Sequence, residues 1–123
     1  MNLQDAQKLL DHPVGGGAHK FQPLLPPRHL GNEKFLKGPI PWNWLSQAAR
    51  LKGYSLHVAI ALWFLAGLNR NRTVALTNTV LQGLGINRFT KSRALKALEQ
   101  ARLVSVTHHQ GRNPVVTILE VGQ

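Results

Sequence analysis

Apolar residues recur at helical spacing late in the chain and at alternate positions just after it. From Arg88 to Arg102, Ala94, Leu95, Leu98 and Ala101 fall on one side of a helix at about 100° per residue, and Phe89, Ser92, Arg93, Lys96 and Gln100 fall on the other. One side is suited to packing, the other to water or a partner. Asn87 is placed to cap this helix by accepting a backbone N–H, and Gly85 suits the turn before it. Beyond Arg102, Val104 and Val106 alternate with Ser105 and Thr107, while Val116 and Ile118 alternate with Val115, Thr117 and Leu119. Such alternation predicts two half-buried strands. Between them lies HHQGRNP, in which Gly111 permits a turn and Pro114 marks the start of the return strand. The tip of this hairpin presents His108, His109, Gln110, Arg112 and Asn113.

Three more helices and a strand are predicted upstream. One runs from Pro41 or Trp42 to Lys52, since proline is tolerated at a helix start and Gly53 supplies a stop. Trp42, Leu45 and Ala49 share one side of it, with Trp44, Ala48 and Leu51 beside them. In SLHVAIALWFLAGLNR, Ser55 is the expected N-cap and Arg70 lies near the C-terminal end, where a cation is favoured. This helix is apolar on almost every face, which argues for a central position, as core or as part of a subunit interface. Thr73 to Leu76 reads as a short strand pairing with the late hairpin, and Thr77 as the cap of a helix containing Val80, Leu81 and Leu84. The expected class is mainly α with a small β-hairpin, an α+β domain over residues 41–121.

Residues 1–40 read differently. Residues 3–10 suit two turns of helix, too short to guarantee independent stability. From His12 to Pro41, repeated prolines and glycines forbid any long regular element, and Gly15, Gly16 and Gly17 read as a hinge. The expectation is a Pro/Gly-rich extended N-terminal arm. Its apolar residues, among them Phe21, Leu24, Leu25, Phe35 and Ile40, are too many for a solvated linker. Part of it is therefore expected to lie against the domain or a partner subunit, with a disordered tail as the alternative.

The segment GINRFTKSRALKALEQARLVSV resembles the recognition helix and first wing strand of bacterial winged helix-turn-helix regulators. In that family a Gly-Val-Ser-Arg-type turn leads into a helix ending Ala-Leu-Lys-x-Leu-Glu-x-Ala-Gly-Leu-Val. The likeness spans about residues 54 to 119, with Gly85, Ile86, Asn87, Arg88, Arg93, Ala94, Leu95, Leu98, Glu99, Leu103 and Val104 holding the expected types. Lys91 departs from it, standing where the family has a buried aliphatic residue. Either its stem lies along the core with the ammonium escaping to solvent, or the helix is rotated. Arg102 also departs, replacing the glycine that ends the helix. The resemblance implies a winged helix-turn-helix fold, a double-stranded DNA partner, and a homodimer placing two recognition helices in successive major grooves.

Charge points the same way. Residues 37–119 hold eleven Lys or Arg against one acid, whereas residues 1–36 hold four against three, so the net +10 belongs to the folded part. Such an excess attracts polyanions and makes binding salt-sensitive. An anionic membrane surface is the weaker candidate, because the apolar side of the basic helix is mostly Leu and Ala, suited to internal packing. Arg and Lys reach guanine O6 and N7 in the major groove, Ser and Thr reach several base edges, and Phe touches a thymine methyl. Arg88, Phe89, Thr90, Ser92, Arg93 and Lys96 are thus expected to address bases and nearby phosphates. Arg112 would contact a phosphate or the flanking minor groove, and Thr77, Asn78 and Thr79 the DNA backbone through helix amides. A solvated surface helix and a merely superficial Arg112 are the plainer alternatives.

Other chemistry is scarce. Five acids, mostly near the ends, leave no paired carboxylates for general acid and base work, so no enzyme is expected. His108 and His109 are adjacent and would point to opposite faces of a strand, and no metal or cofactor is expected. The absence of cysteine removes disulfides and zinc ribbons and is compatible with a reducing cytoplasm. The start MNLQDAQKLLDHP has neither a basic leader nor an uninterrupted apolar core, so no secretory signal is expected. The apolar run Val58 to Leu68 is eleven residues, short of the ~20 of a membrane span. The leading expectation is a cytoplasmic, nucleoid-associated, sequence-specific DNA-binding protein, a transcription regulator of a bacterium or mobile element. A plasmid replication or partition protein would look similar, and a protein-interaction module on the same scaffold is the alternative from another class. No effector pocket is legible at this level.

Overall fold

Among the described residues, α-helix forms where apolar positions recur at helical spacing, and the short strands follow the alternating segments. The computed structural model describes residues 24–121. In chain order the elements are α1 (Trp42–Ala49), α2 (Ser55–Asn69), β1 (Thr73–Ala75), α3 (Asn78–Gln82), α4 (Arg88–Gln100), β2 (Val104–Thr107) and β3 (Val115–Ile118). The strands form one antiparallel sheet in the order β1-β3-β2, with Thr73 and Ser105 both registered against Thr117. Among the described residues, four helices with a small three-stranded sheet make an α+β fold, and this order of parts is compatible with a winged helix. No helix among the described residues is long and apolar enough to cross a membrane.

The chain divides into two units, Met1–Glu33 and Lys34–Gln123. In the first, the described residues contain a turn in which the Leu30 N–H donates to Glu33 Oε2 at 2.8 Å and the Glu33 N–H donates to the Leu30 carbonyl at 3.0 Å. The helix expected over residues 3–10 and the hinge at Gly15–Gly17 lie outside the described residues. In the second unit, residues 34–40 run without regular structure close to α2, so that a Cβ placed on Gly67 would stand 3.0 Å from the Lys37 Cβ.

The core is built around α2, whose Val58, Ala59, Ala61, Leu62, Leu65 and Ala66 are all buried. Its neighbours are α1, α4 and β1, with α3 making fewer contacts. A helix apolar nearly all round is thereby covered from several sides, although Leu68 near its end remains 68% exposed. Ser55 is the first residue inside α2, not its N-cap as expected; Tyr54 holds the cap position, and the buried Ser55 hydroxyl donates to the Lys52 carbonyl at 2.9 Å.

α1 is shorter than predicted and turned from the expected orientation. It stops at Ala49, where the Arg50 N–H is shared between the Ser46 and Gln47 carbonyls and the Leu51 N–H reaches Ala48, a tightened last turn. Trp44 and Ala48 face the core, and Trp42 is left 78% exposed. The two tryptophans cannot both be inward, and Trp44 takes the interior because its indole Nε1–H donates to the Leu103 carbonyl at 3.2 Å.

α4 buries Ala94, Leu95 and Leu98, the side predicted for it, and ends at Gln100, two residues before the expected Arg102. The termination is a Schellman motif: the Leu103 N–H donates back to the Leu98 carbonyl at 3.0 Å and the Arg102 N–H to the Glu99 carbonyl at 3.0 Å. The same device closes α3, where the Ile86 N–H reaches Leu81 at 2.9 Å around Gly85 at φ +75°. At the end of α4 the left-handed position belongs to Arg102, at φ +61°. Glycine meets no Cβ clash there; arginine does. Arg102→Gly should therefore raise stability by about 1 kcal/mol, read as an increase in the urea midpoint with unchanged slope, while an unchanged or lower midpoint would show that the arginine side chain offsets its own strain.

Candidate nucleic-acid interface

Local sequence sets the start of α4. Asn87 stands at the N-cap and its Oδ1 accepts from the Thr90 N–H at 2.9 Å, satisfying one of the amide donors that every helix start leaves free. From that fixed start, thirteen residues of helix carry Arg88, Phe89, Ser92, Arg93, Lys96 and Gln100 outward, all exposed, with Thr90 half-buried. Phe89 is 64% exposed, and the Arg88 guanidinium lies over its ring at 5.0 Å. This cation–π contact orients both side chains at the first turn.

The acid on this helix is turned toward the sheet. Glu99 Oε2 accepts from the Val106 N–H at 3.3 Å, on the edge strand β2. Arg88, Arg93 and Lys96 thus form a cationic, water-facing row on a helix whose opposite side is packed. Arg112 stands elsewhere, exposed at the hairpin tip, where its backbone N–H closes the turn on the His109 carbonyl at 3.1 Å and Gly111 takes φ +74°.

Thr77, Asn78 and Thr79 sit at the start of α3. Thr77 holds the N-cap without a side-chain capping bond, Thr79 is exposed, and α3 itself has only five residues. Asn78 is tied inward: its Oδ1 accepts from Lys91 Nζ at 2.9 Å. No protein-family model, curated protein or solved structure matches the chain.

Lys91 is the polar residue that sequence reasoning placed wrongly. Its ammonium is not free in solvent: the residue is 7% exposed, and Nζ donates both to Asn78 Oδ1 at the rim and, at 3.0 Å, to the Leu76 carbonyl. Nor is α4 rotated, since Ala94, Leu95 and Leu98 are buried as its periodicity required. The side chain instead crosses from α4 to the β1–α3 junction and ties α3 to α4. The signal in the sequence was a lysine in register with Ala94, Leu95 and Leu98, together with a polar Asn78 at the start of the preceding helix.

Burial pushes the Lys91 amine below its ordinary value of 10.5. Below the lowered value the amine is charged in both the folded and unfolded chains, and the full cost of burying that charge is present. Between the lowered value and 10.5 the unfolded chain holds more protons, so this site's contribution to stability improves as pH rises. Urea denaturation of the wild type and Lys91→Met across alkaline pH should show the wild type gaining on the variant as pH approaches 10.5. A pH-independent gap between the two would mean that the amine is not desolvated.

Proposed function

We propose that this chain is a winged helix-turn-helix protein that binds double-stranded DNA in a sequence-specific way, reading the major groove with α4 and flanking DNA with the β2–β3 hairpin. The observation that carries the reading is the outward row of Arg88, Phe89, Ser92, Arg93 and Lys96 on a helix whose other side is core. α4 is about 20 Å long at 1.5 Å per residue, and an α-helix fits the major groove of B-form DNA. Arg93 and Lys96 supply bidentate or point contacts to guanine and phosphate, Ser92 and Thr90 reach neutral base edges, and Phe89 reaches a thymine methyl. Arg112 at the hairpin tip adds a phosphate or minor-groove contact.

At the start of α3, Thr77, Asn78 and Thr79 would meet the DNA backbone through their amides, with the Asn78 side chain engaged by Lys91. A homodimer would give a palindromic target with half-sites spaced by a helical turn of DNA or a multiple of it. The biological role that fits is transcription regulation in the cytoplasm of a bacterium, on its nucleoid or on a mobile element, with plasmid replication or partition using the same contacts.

A protein-interaction role on this scaffold has its own support. An apolar groove of about 240 Å³ lies among Phe35, Leu36, Ile60, Phe64, Val80 and Leu84. Its walls suit another protein better than a nucleic acid. The cationic row of α4 is unexplained by that role, so DNA binding stands first.

Selecting duplexes from a random pool with the purified protein should return one enriched motif. Arg93→Ala combined with Lys96→Ala should abolish preference for that motif while leaving the unfolding temperature almost unchanged, because both side chains are exposed. Wild-type affinity should fall steeply from about 50 to 200 mM salt, as expected for several phosphate contacts. A doubly substituted protein that keeps the wild-type ratio of target to random binding would remove α4 as the reading element.

A further inference from the structure

A second recess lies in the Lys34–Gln123 unit, lined by none of the residues assigned above to DNA. It is a cleft of about 520 Å³, within the usual range for small-molecule sites. Trp63 forms an aromatic wall, backed edge to face by the buried Trp44 at 5.4 Å and 86°, and Pro39 adds apolar surface. The wall is preorganised, because Trp44 is buried and held by its hydrogen bond to the Leu103 carbonyl.

Lys37, Arg70 and Arg72 line the same cleft, against Glu120 as the one acid. Arg72 and Glu120 stand 3.5 Å apart with side chains 58% and 85% exposed, a solvated pair that an incoming anion can exchange. The buried Nε1–H of Trp63 has no hydrogen-bond partner among the described residues. Buried donors are rarely left so.

We propose that this cleft binds a small planar organic anion, an aromatic or heteroaromatic ring bearing a carboxylate. The ring lies against Trp63, which Trp44 backs, and the carboxylate meets the Arg70 and Arg72 side of the opening. A neutral ring would use the wall alone. Inorganic phosphate would use the cations alone, and a cleft with so much apolar lining gives it little else.

The three tryptophans make the test direct. In the full chain labelled with nitrogen-15, the indole N–H resonances of Trp44 and Trp63 report on the cleft, and that of Trp42, which is 78% exposed and not part of the lining, serves as the control. Titration with naphthalene-2-carboxylate and with benzoate should move the Trp44 and Trp63 resonances saturably while Trp42 stays in place. The corresponding amides should bind about tenfold more weakly, the loss of a charge-assisted contact. Arg70→Gln combined with Arg72→Gln should weaken the acids by about tenfold, leave amide affinity unchanged and leave the unfolding midpoint where it was. Absence of a saturable shift up to about 10 mM acid, equal affinity for acid and amide, or phosphate binding as well as the ring acids would each overturn the assignment. If the double variant does not fold, the comparison of acid with amide on the wild type decides alone.

Discussion

Everything at the candidate surface depends on how α4 is held against α2. Ala94, Leu95 and Leu98 are buried, and their removal from water fixes the rotation of the helix about its axis. Rotation then determines which side chains remain outside. With Leu98 fully buried, Arg93 and Lys96 have nowhere to point but solvent. The cationic row is thus a consequence of packing on the opposite face, and a core substitution that rotated α4 would displace the row without altering any residue in it.

Two polar joints complete what apolar packing begins. Lys91 spans from α4 to the Leu76 carbonyl and Asn78, so the angle between α3 and α4 is set by directional bonds as well as by side-chain volume. At the far end of α4, the Leu103 carbonyl accepts from both the Trp44 indole and the Leu119 N–H, the latter at 2.9 Å. This one acceptor ties α1, the end of α4 and the segment after β3. Trp44 also backs the aromatic cleft wall, so the residue that closes the core at this end shapes the recess beside it. Hydrogen bonds to buried carbonyls cost more to lose than they contribute when formed, which makes both joints stiff.

Much of the fold was legible in the sequence. The alternation of Val104, Val106, Val116 and Ile118 located both hairpin strands, and β1 was found beside them at Thr73. The periodicity of α4 correctly divided its buried from its exposed residues, and Asn87 was recognised as its cap. α1 was less legible. Trp42 and Trp44 are equally apolar, and two residues of one short helix compete for a single place inside; only the Leu103 acceptor, distant in sequence, decides between them. Ser55 was misplaced by one position because a hydroxyl that bonds to the Lys52 carbonyl from inside the first turn looks in sequence like one that caps it.

The candidate surface and the cleft differ in the same respect. The outward row of α4 is local information, since helical spacing alone separates Ser92, Arg93 and Lys96 from Ala94, Leu95 and Leu98. The sequence by itself therefore determined the class of elements, their order and the polarity of the helix that carries the positive charge. Tertiary structure alone decided the fate of the Lys91 ammonium and the choice of Trp44 over Trp42. It also brought Lys37, Trp63, Arg72 and Glu120 around one recess. The reason is range: backbone propensity and amphipathic period act over a few residues, whereas burial of a charge, pairing of an indole with a carbonyl and enclosure of a cleft depend on groups that meet only when the chain has folded.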